Sequence, residues 1–245
     1  MENLIVYKSP FEKMRIGTKF SINGHQNYLY SGPVKKSWHF FNRHAISMAL
    51  KNGHLDVGCG SGFYLIAIAA QSGIGVDLDN EALSKVPKDF LTYNCSLIDL
   101  DETIADVGLI SLFEVLEHTE DPNLILANIK NRLCKEGVLI GSTPNSERLW
   151  AKLFGYEAFD YPPNHLHRFS KKDIESMLIE CGFTNIEVKA AFILPSLSDV
   201  IYRAKILVNG MKFFSWLIVP LIFPMIVLMN LTRRGYLHHG FIARR

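Results

Sequence analysis

The apolar positions between residues 54 and 190 fall into short runs, and the segments between the runs have helical spacing. The runs predict strands at Leu55–Gly58, Ile74–Leu78, Leu91–Cys95, Val107–Leu112, Val138–Ser142 and Ile186–Ala190. The helical spacing predicts helices over 34–52, 63–71, 81–86 and 121–134, a short aromatic helix within 146–160, and one that begins after Ser170. Strands that alternate with helices predict an α/β protein with a doubly wound, mostly parallel sheet.

Glycines end the first predicted strand, in the stretch LDVGCGSG. A helix would begin there at Gly62 or Phe63, so its unpaired backbone N–H groups would face whatever the loop binds. Glycine permits steep backbone dihedrals and a close approach of a ligand to the main chain. The candidate binding residues are Asp56, Gly58, Cys59, Gly60 and Gly62. The spacing departs from the dinucleotide fingerprint G-x-G-x-x-G, whose third glycine would fall on Phe63.

An acidic residue, Asp77, ends the second predicted strand about twenty residues after the glycine loop. In nucleotide-binding doubly wound folds an acid at this position hydrogen-bonds ribose hydroxyls. We therefore expect Asp77 to contact a nucleoside, with a solvated strand end as the alternative. Asp79 is expected to cap the N-terminus of the helix 81–86.

Two carboxylates and an imidazole follow the fourth predicted strand, in the string FEVLEHTEDP. Glu114, Glu117 and His118 would lie at the carboxyl end of a central strand, where ligands bind in open α/β sheets. Such side chains are able to coordinate a divalent metal; the alternative is that they line the site and cap loops. Asp121 and Pro122 suit the N-cap and first position of the next helix, so we expect their role to be structural.

Three motifs of the chain resemble those of the class I S-adenosylmethionine (SAM) dependent methyltransferases. The glycine loop with an acid two residues ahead of it resembles their motif I. The string E-x-x-E-H-x-x-D-P is similar to that of the ubiquinone-biosynthesis O-methyltransferases, and YPPNHLHRFS resembles an acceptor-covering loop of related bacterial methyltransferases. The resemblance implies a seven-stranded Rossmann-like fold, SAM as cofactor, and methyl transfer to an acceptor hydroxyl. A nitrogen, carbon or sugar acceptor stays open.

The resemblance also implies roles for individual residues. SAM would be contacted by Asp56, Gly58, Cys59, Gly60, Gly62, Asp77, Leu78, Ser96, Leu97, Phe113 and Glu114. Ser96 stands where the family usually has an acid for the adenine amino group, so Asp99 or the backbone are alternatives there. In the ubiquinone enzymes the residues that match Glu114, Glu117 and His118 are linked to a divalent metal, although methyltransferases that need no metal carry a similar string.

His118 and His165 are the candidate general bases for the acceptor proton. His165 and His167 alternate in an extended loop, so they face opposite directions and one of them is able to point at the site. We expect that residue to be His165, and a purely structural histidine is the alternative. Ser170 and Asp173 predict a capping box for the helix that follows.

An uncharged run of nineteen residues, Phe213–Leu231, meets the length criterion for a membrane span. Residues 236–243 look like the family's seventh strand, which returns antiparallel into the sheet. A single span would leave that strand on the wrong side of a membrane from its sheet. We therefore expect an apolar helical insert that contacts a membrane surface through 210–233, with a lipid or lipid-linked acceptor. A true span, or a core or dimer-interface element, is the alternative.

Composition narrows the function further. The formal net charge of +2 gives no electrostatic case for a nucleic-acid partner. Four isolated cysteines indicate a reducing compartment, so we expect a cytoplasmic protein, with a location peripheral to or embedded in the membrane as the alternative. The expected plan is an N-terminal arm or lid (1–33), a SAM-binding domain (34–190), the apolar insert (191–235) and the last strand (236–245). A SAM-binding membrane-associated protein without catalysis is the rival function.

Overall fold

The computed structural model describes residues 50–68, 73–156, 160–191, 219–220, 223–224 and 238–245. The predicted N-terminal arm and nearly all of the predicted helix 34–52 and of the predicted apolar insert lie outside these residues. Within the described part of the chain, no helix is both long and apolar enough to cross a membrane. The fold can therefore be compared with the sequence-based expectations mainly between residues 50 and 191 and at the last strand.

Seven strands form one sheet in the order β3-β2-β1-β4-β5-β7-β6. The strands are β1 His54–Val57, β2 Gly73–Val76, β3 Leu91–Tyr93, β4 Val107–Phe113, β5 Leu133–Pro144, β6 Thr184–Ala191 and β7 His238–Arg244. The first five pair in parallel, whereas β7 runs antiparallel to both β5 and β6. This mostly parallel, seven-stranded order confirms the predicted fold class and the predicted antiparallel return of the last strand.

The helices described between the strands are α1 Phe63–Ile68, α2 Asn80–Leu83, α3 Pro122–Arg132, α4 Leu149–Phe154 and α5 Lys171–Glu180. Side chains cap the N-termini of α2, α3 and α5, whereas Arg148 before α4 makes no such hydrogen bond. Asp79 accepts hydrogen bonds from two backbone N–H groups of α2, and Asp121 caps α3 with Pro122 at its start. Ser170 and Asp173 form the predicted capping box of α5. These caps supply partners for N–H groups that no intrahelical carbonyl can reach.

The boundary between α3 and β5 differs from the prediction. The helical spacing extends to Cys134, but the helix ends at Arg132 and β5 begins at Leu133. Leu133 is fully buried and pairs with Val107, and the pairing then shifts before it resumes at Leu109 and Val138. Burial of Leu133 beside the first residue of β4 therefore decides the boundary, because tertiary packing overrides local helix propensity.

The core lies against the two central strands, which are buried along their whole length. Apolar residues of α3 and α5 pack on them together with the last strand, and the largest fully buried side chain is Phe241 in β7. Gly141 in β5 makes this packing possible, since a Cβ there would lie 2.3 Å from Phe241 Cζ and 2.4 Å from the Leu112 carbonyl oxygen. The core thus joins the parallel strands to the antiparallel edge of the sheet.

His239 in β7 is a buried ionisable residue next to this core. It is 5% exposed, and neither ring nitrogen has a hydrogen-bond partner among the residues that the structure describes. Burial, together with the nearby charges of His238 and Lys171, lowers the pKa of His239 to about 4. Protonation of His239 therefore lowers the free energy of unfolding, because the unfolded chain binds this proton more tightly than the folded one.

We expect the variant His239→Gln to lose less stability in acid than the wild type. The unfolded histidine titrates near pH 6.5 and the folded one near 4, so its contribution is lost as the pH falls between these values, by up to about 3 kcal/mol. Urea denaturation at about pH 7 and about pH 4.5 measures the difference. An equal decrease in the free energy of unfolding in both proteins would contradict this assignment.

Candidate functional site

The glycine loop follows β1 in a conformation that side chains rarely adopt. Gly58, Gly60 and Gly62 have φ angles of 69°, 54° and 73°. A Cβ on Gly58 would lie 2.3 Å from the Val115 side chain, and one on Gly62 would lie 2.9 Å from Val86. The loop therefore needs glycine for its backbone geometry and for space.

The carboxylate of Asp77 is hydrogen bonded to this loop. It accepts from the backbone N–H of Gly60 at 2.7 Å and from that of Asp79 at 2.8 Å. Burial raises the pKa of Asp77, and the two N–H donors oppose that rise. Leu78 beside it is 76% exposed. The structure thus brings Asp77 and Leu78 to the glycine loop, as a nucleoside site requires, and the ribose contact itself stays a prediction.

Asp56 lies beneath the loop in β1 and takes part in a buried polar chain. Ser111 Oγ in the neighbouring strand donates to Asp56 Oδ1 at 2.5 Å. His54 Nε2 lies 2.7 Å from the same hydroxyl, which must accept the proton from His54 because its own is given to Asp56. Asp56 is 2% exposed, so its carboxylate lies inside the sheet and links β1 to β4 through Ser111.

The predicted adenine contacts lie in the turn after β3. Ser96 Oγ accepts from the backbone N–H of Ile98 at 3.3 Å, and Leu97 is buried in the core. Ile98 is the side chain of this turn that is about half exposed, and the sequence analysis did not select it. Its exposure could not be predicted from the sequence, because the turn decides which of the adjacent apolar residues Leu97 and Ile98 enters the core.

Glu114 follows β4 with a φ of 55° and is held by two side chains from β5 and β7. Ser142 Oγ donates to Glu114 Oε1 at 2.6 Å, and His238 Nδ1 lies 3.1 Å from Oε2. Burial alone would raise the pKa of Glu114, but the charge and hydrogen bond of His238 lower it to about 2. Glu114 is therefore an ionised, internally paired carboxylate. Phe113 before it is buried against the Tyr64 ring.

Glu117 and His118 lie in the 3₁₀ turn Leu116–His118 that follows. Glu117 is 1% exposed, and neither of its oxygens has a hydrogen-bond partner among the described residues. Burial, and then the Glu114 charge, raise the pKa of Glu117, whereas burial lowers that of His118. His118 Nδ1 donates to the Asn164 carbonyl at 2.5 Å, and its Nε2 lies 3.9 Å from Glu117 Oε1.

The loop 160–169 brings His165 to this turn. The Glu117 carbonyl accepts from the backbone N–H groups of Leu166 and His167 at 2.8 and 3.2 Å. The rings of His165 and His118 meet edge to face with centroids 4.9 Å apart. His167 instead stacks on Phe169. Of the two alternating histidines, it is therefore His165 that joins the predicted site residues.

A buried ion pair between Arg148 and Asp160 supports the loop. Both side chains are at most 5% exposed, and the Arg148 guanidinium contacts Asp160 Oδ2 directly. The other oxygen, Oδ1, lies 3.7 Å from His165 Nδ1. Neither Arg148 nor Asp160 was selected from the sequence, because no local motif distinguishes them from surface charges.

The family profile described as a methyltransferase domain matches residues 37–188. The chain belongs to the methyltransferase domain family. It is 29% identical over 153 residues to a Mycobacterium tuberculosis protein named "Probable S-adenosylmethionine-dependent methyltransferase", with 60% of this chain and 54% of that protein aligned. It is 34% identical over 109 residues to a Coxiella burnetii "Ubiquinone biosynthesis O-methyltransferase", with 40% and 46% aligned. The chain thus spans about half the length of these curated relatives.

A solved methyltransferase supports the same fold. The crystal structure of a SAM dependent methyltransferase from Archaeoglobus fulgidus matches with a TM-score of 0.58 at 16% identity, and the match covers 91% of this chain and all of that one. The strand order, the glycine loop after β1 and the acid after β2 thus belong to a methyltransferase domain. The resemblance inferred from the motifs is confirmed.

We expect the variant Arg148→Met to be about 3–5 kcal/mol less stable than the wild type, because it leaves the Asp160 carboxylate buried without its cation. Lys152→Met is the matched control: it removes a pair with Glu147 whose partners are about half exposed, and should cost less than about 0.5 kcal/mol. Urea denaturation compares the two variants. Similar small losses in both would show that the buried pair does not stabilise the loop.

Proposed function

We propose that this protein is a SAM-dependent methyltransferase that moves a methyl group to the hydroxyl of a lipophilic or lipid-linked acceptor. The observation that carries the proposal is the Asp77 carboxylate on the glycine loop, beside a β4 end where His118 meets His165. The glycine loop with Asp77 suits a nucleoside, and the two histidines suit removal of a proton from an acceptor.

The residues around the glycine loop fit SAM. A Cβ at Gly58 would clash with Val115, so the tight turn between β1 and α1 requires glycine. In this proposal Asp77 accepts from the ribose hydroxyls, Leu78 and Ser96 lie toward the adenine, and Phe113 and Glu114 lie toward the remaining part. Leu97, which was predicted with them, lies in the core. SAM supplies a methyl group on a sulfonium, and the protein's task is to position donor and acceptor. The name of the Mycobacterium relative supports this cofactor.

His118 is the better placed of the two candidate bases. Its Nδ1 proton is donated to the Asn164 carbonyl, so in the neutral ring the lone pair is on Nε2. Burial lowers the pKa of His118, which keeps the ring neutral at physiological pH and able to accept a proton. His165 packs against it, and the Asp160 carboxylate lies next to His165. The pair would take the acceptor proton as the methyl group is transferred.

Two observations support the acceptor class. The Coxiella relative is named an O-methyltransferase, which favours oxygen as the nucleophile. The uncharged run Phe213–Leu231 favours an apolar acceptor and contact with a membrane surface through 210–233. Phe223, one of its four described residues, is 42% exposed.

A SAM-binding protein without methyl transfer is the second candidate. It is favoured by Ser96, which replaces the family's adenine-binding acid and whose hydroxyl already accepts from Ile98 N–H in its own turn. Product formation from labelled SAM with lipid extracts separates the two candidates: transfer to a lipid supports the first, and binding without any transfer supports the second.

We expect the variant Asp77→Asn to bind S-adenosylhomocysteine about 10- to 100-fold more weakly than the wild type. An amide has one acceptor oxygen, so it cannot accept from Gly60, Asp79 and a ribose hydroxyl as the carboxylate can. Asp79→Asn is the matched control, because asparagine is an equally good N-cap, and its affinity should stay within about twofold. Isothermal titration calorimetry measures both.

Failure of the folded wild type to bind S-adenosylhomocysteine would refute the proposed cofactor. Equal affinity of the wild type and Asp77→Asn would refute the ribose contact while leaving the cofactor in place.

A further inference from the structure

We propose that the acceptor carries a phosphate or carboxylate group and that Arg168 binds this group. Arg168 lies on the loop 160–169, which also brings His165 to the site. Its Nη1 donates to the Asp160 carbonyl at 3.0 Å, and the Asp160 carboxylate lies 3.7 Å from His165 Nδ1. This role of Arg168 rests on the proposed methyl transfer, and it gives the lipophilic acceptor a second recognition element, an anionic oxygen group.

Two aromatic rings hold the Arg168 guanidinium in place. Its central carbon, Cζ, lies 5.0 Å from the centroid of the Tyr156 ring and 5.0 Å from that of the Tyr161 ring. The two rings are nearly perpendicular, with centroids 6.1 Å apart. An arginine at the surface ordinarily loses rotamer freedom when it binds an anion. The rings and the Asp160 carbonyl already restrict this side chain, so less conformational entropy is lost on binding.

The charge of Arg168 has no carboxylate partner in the described part of the chain. The other lysine and arginine side chains described between residues 148 and 171 each have one: Arg148 pairs with Asp160, Lys152 with Glu147 and Lys171 with Glu175. Arg168 is exposed, and its hydrogen bond goes to a neutral carbonyl. Its positive charge is therefore available to a ligand.

The remaining N–H groups of Arg168 match a phosphate or carboxylate. A guanidinium has five N–H donors in one plane, and the Asp160 carbonyl uses one of them, on Nη1. The edge formed by Nε and Nη2 can therefore donate to two oxygens of one anionic group at the same time. The Tyr161 ring beside it is 46% exposed and offers an apolar surface to the part of the acceptor next to that group.

The backbone on both sides of Arg168 is anchored to the fold. His167 N–H donates to the Glu117 carbonyl at 3.2 Å, and the Phe169 carbonyl accepts from Ser146 N–H at 3.0 Å. These anchors belong to the turn after β4 and to the segment after β5, whereas the glycine loop follows β1. This position favours the acceptor over the nucleoside as the source of the anionic group.

The test compares amphiphiles that have the same alkyl chain and different headgroups: decyl phosphate, decanoate and decanol. Each is titrated below its micelle concentration into full-length protein saturated with S-adenosylhomocysteine, and calorimetry gives its affinity. We expect decyl phosphate, decanoate or both to bind the wild type at least about 10-fold more tightly than decanol does, because charge-assisted bidentate hydrogen bonds are strong. The anionic amphiphile that binds more tightly identifies the group.

Arg168→Gln and Arg168→Met should each abolish this preference, so that the three amphiphiles bind within about threefold of one another. Arg168→Lys keeps the charge without the planar fork, and we expect it to retain part of the preference. Lys171→Gln is the matched control, because it removes a nearby positive charge that already pairs with Glu175, and its preference should stay within about twofold of the wild type. The affinity for S-adenosylhomocysteine should stay within about twofold in every variant.

Three results would overturn the proposal. The first is a wild type that binds no amphiphile or binds all three equally, and the second is an unchanged preference in a neutral Arg168 variant. The third is loss of S-adenosylhomocysteine binding in a folded Arg168 variant, which would place Arg168 at the cofactor. Circular dichroism identifies variants that no longer fold, and either neutral variant is sufficient. A wild type that binds S-adenosylhomocysteine without a headgroup preference refutes the role of Arg168 alone, whereas one that does not bind it refutes the proposed function.

Discussion

The site depends on the hydrogen bonds that the Asp77 carboxylate accepts from Gly60 and Asp79. β1 and β2 are parallel neighbours, so both end at the same edge of the sheet. Backbone hydrogen bonds from Gly58 and Cys59 to the Val76 carbonyl hold the glycine loop against β2. The partly buried Asp77 carboxylate adds a link from this loop to the start of α2 and brings negative charge to the place where a nucleoside would bind. The same parallel pairing between β1 and β4 places Glu114 and the turn Leu116–His118 at this edge.

The antiparallel last strand completes the other side of the site. β7 lies between β5 and β6, and Pro144 pairs with His238. Ser142, two residues before Pro144, therefore lies on the same face, and both Ser142 and His238 reach Glu114. An ionised, buried Glu114 needs this compensation. Residues 192–237 connect β6 to β7, so the chain that carries the uncharged run ends beside the site residues.

The loop 160–169 determines which chemistry the β4 end can perform. Backbone hydrogen bonds to the Glu117 carbonyl attach the loop to the 3₁₀ turn, and the Arg148–Asp160 pair supports it from the other side. His165 is thereby held against His118. The two rings together supply the candidate base for the proton of an acceptor.

The sequence by itself determined the features that depend on a few neighbouring residues. The glycine loop, the caps at Asp79, Asp121 and Ser170, and the alternation of strands with helices are set by local backbone geometry and hydrogen-bonding chemistry. The tertiary structure alone decided the pairing of Glu114 with His238, of Arg148 with Asp160, and of His118 with His165. The tertiary structure also decided that β5 begins at Leu133. Each depends on strand order and on burial between segments far apart in the chain, and no local pattern encodes those contacts.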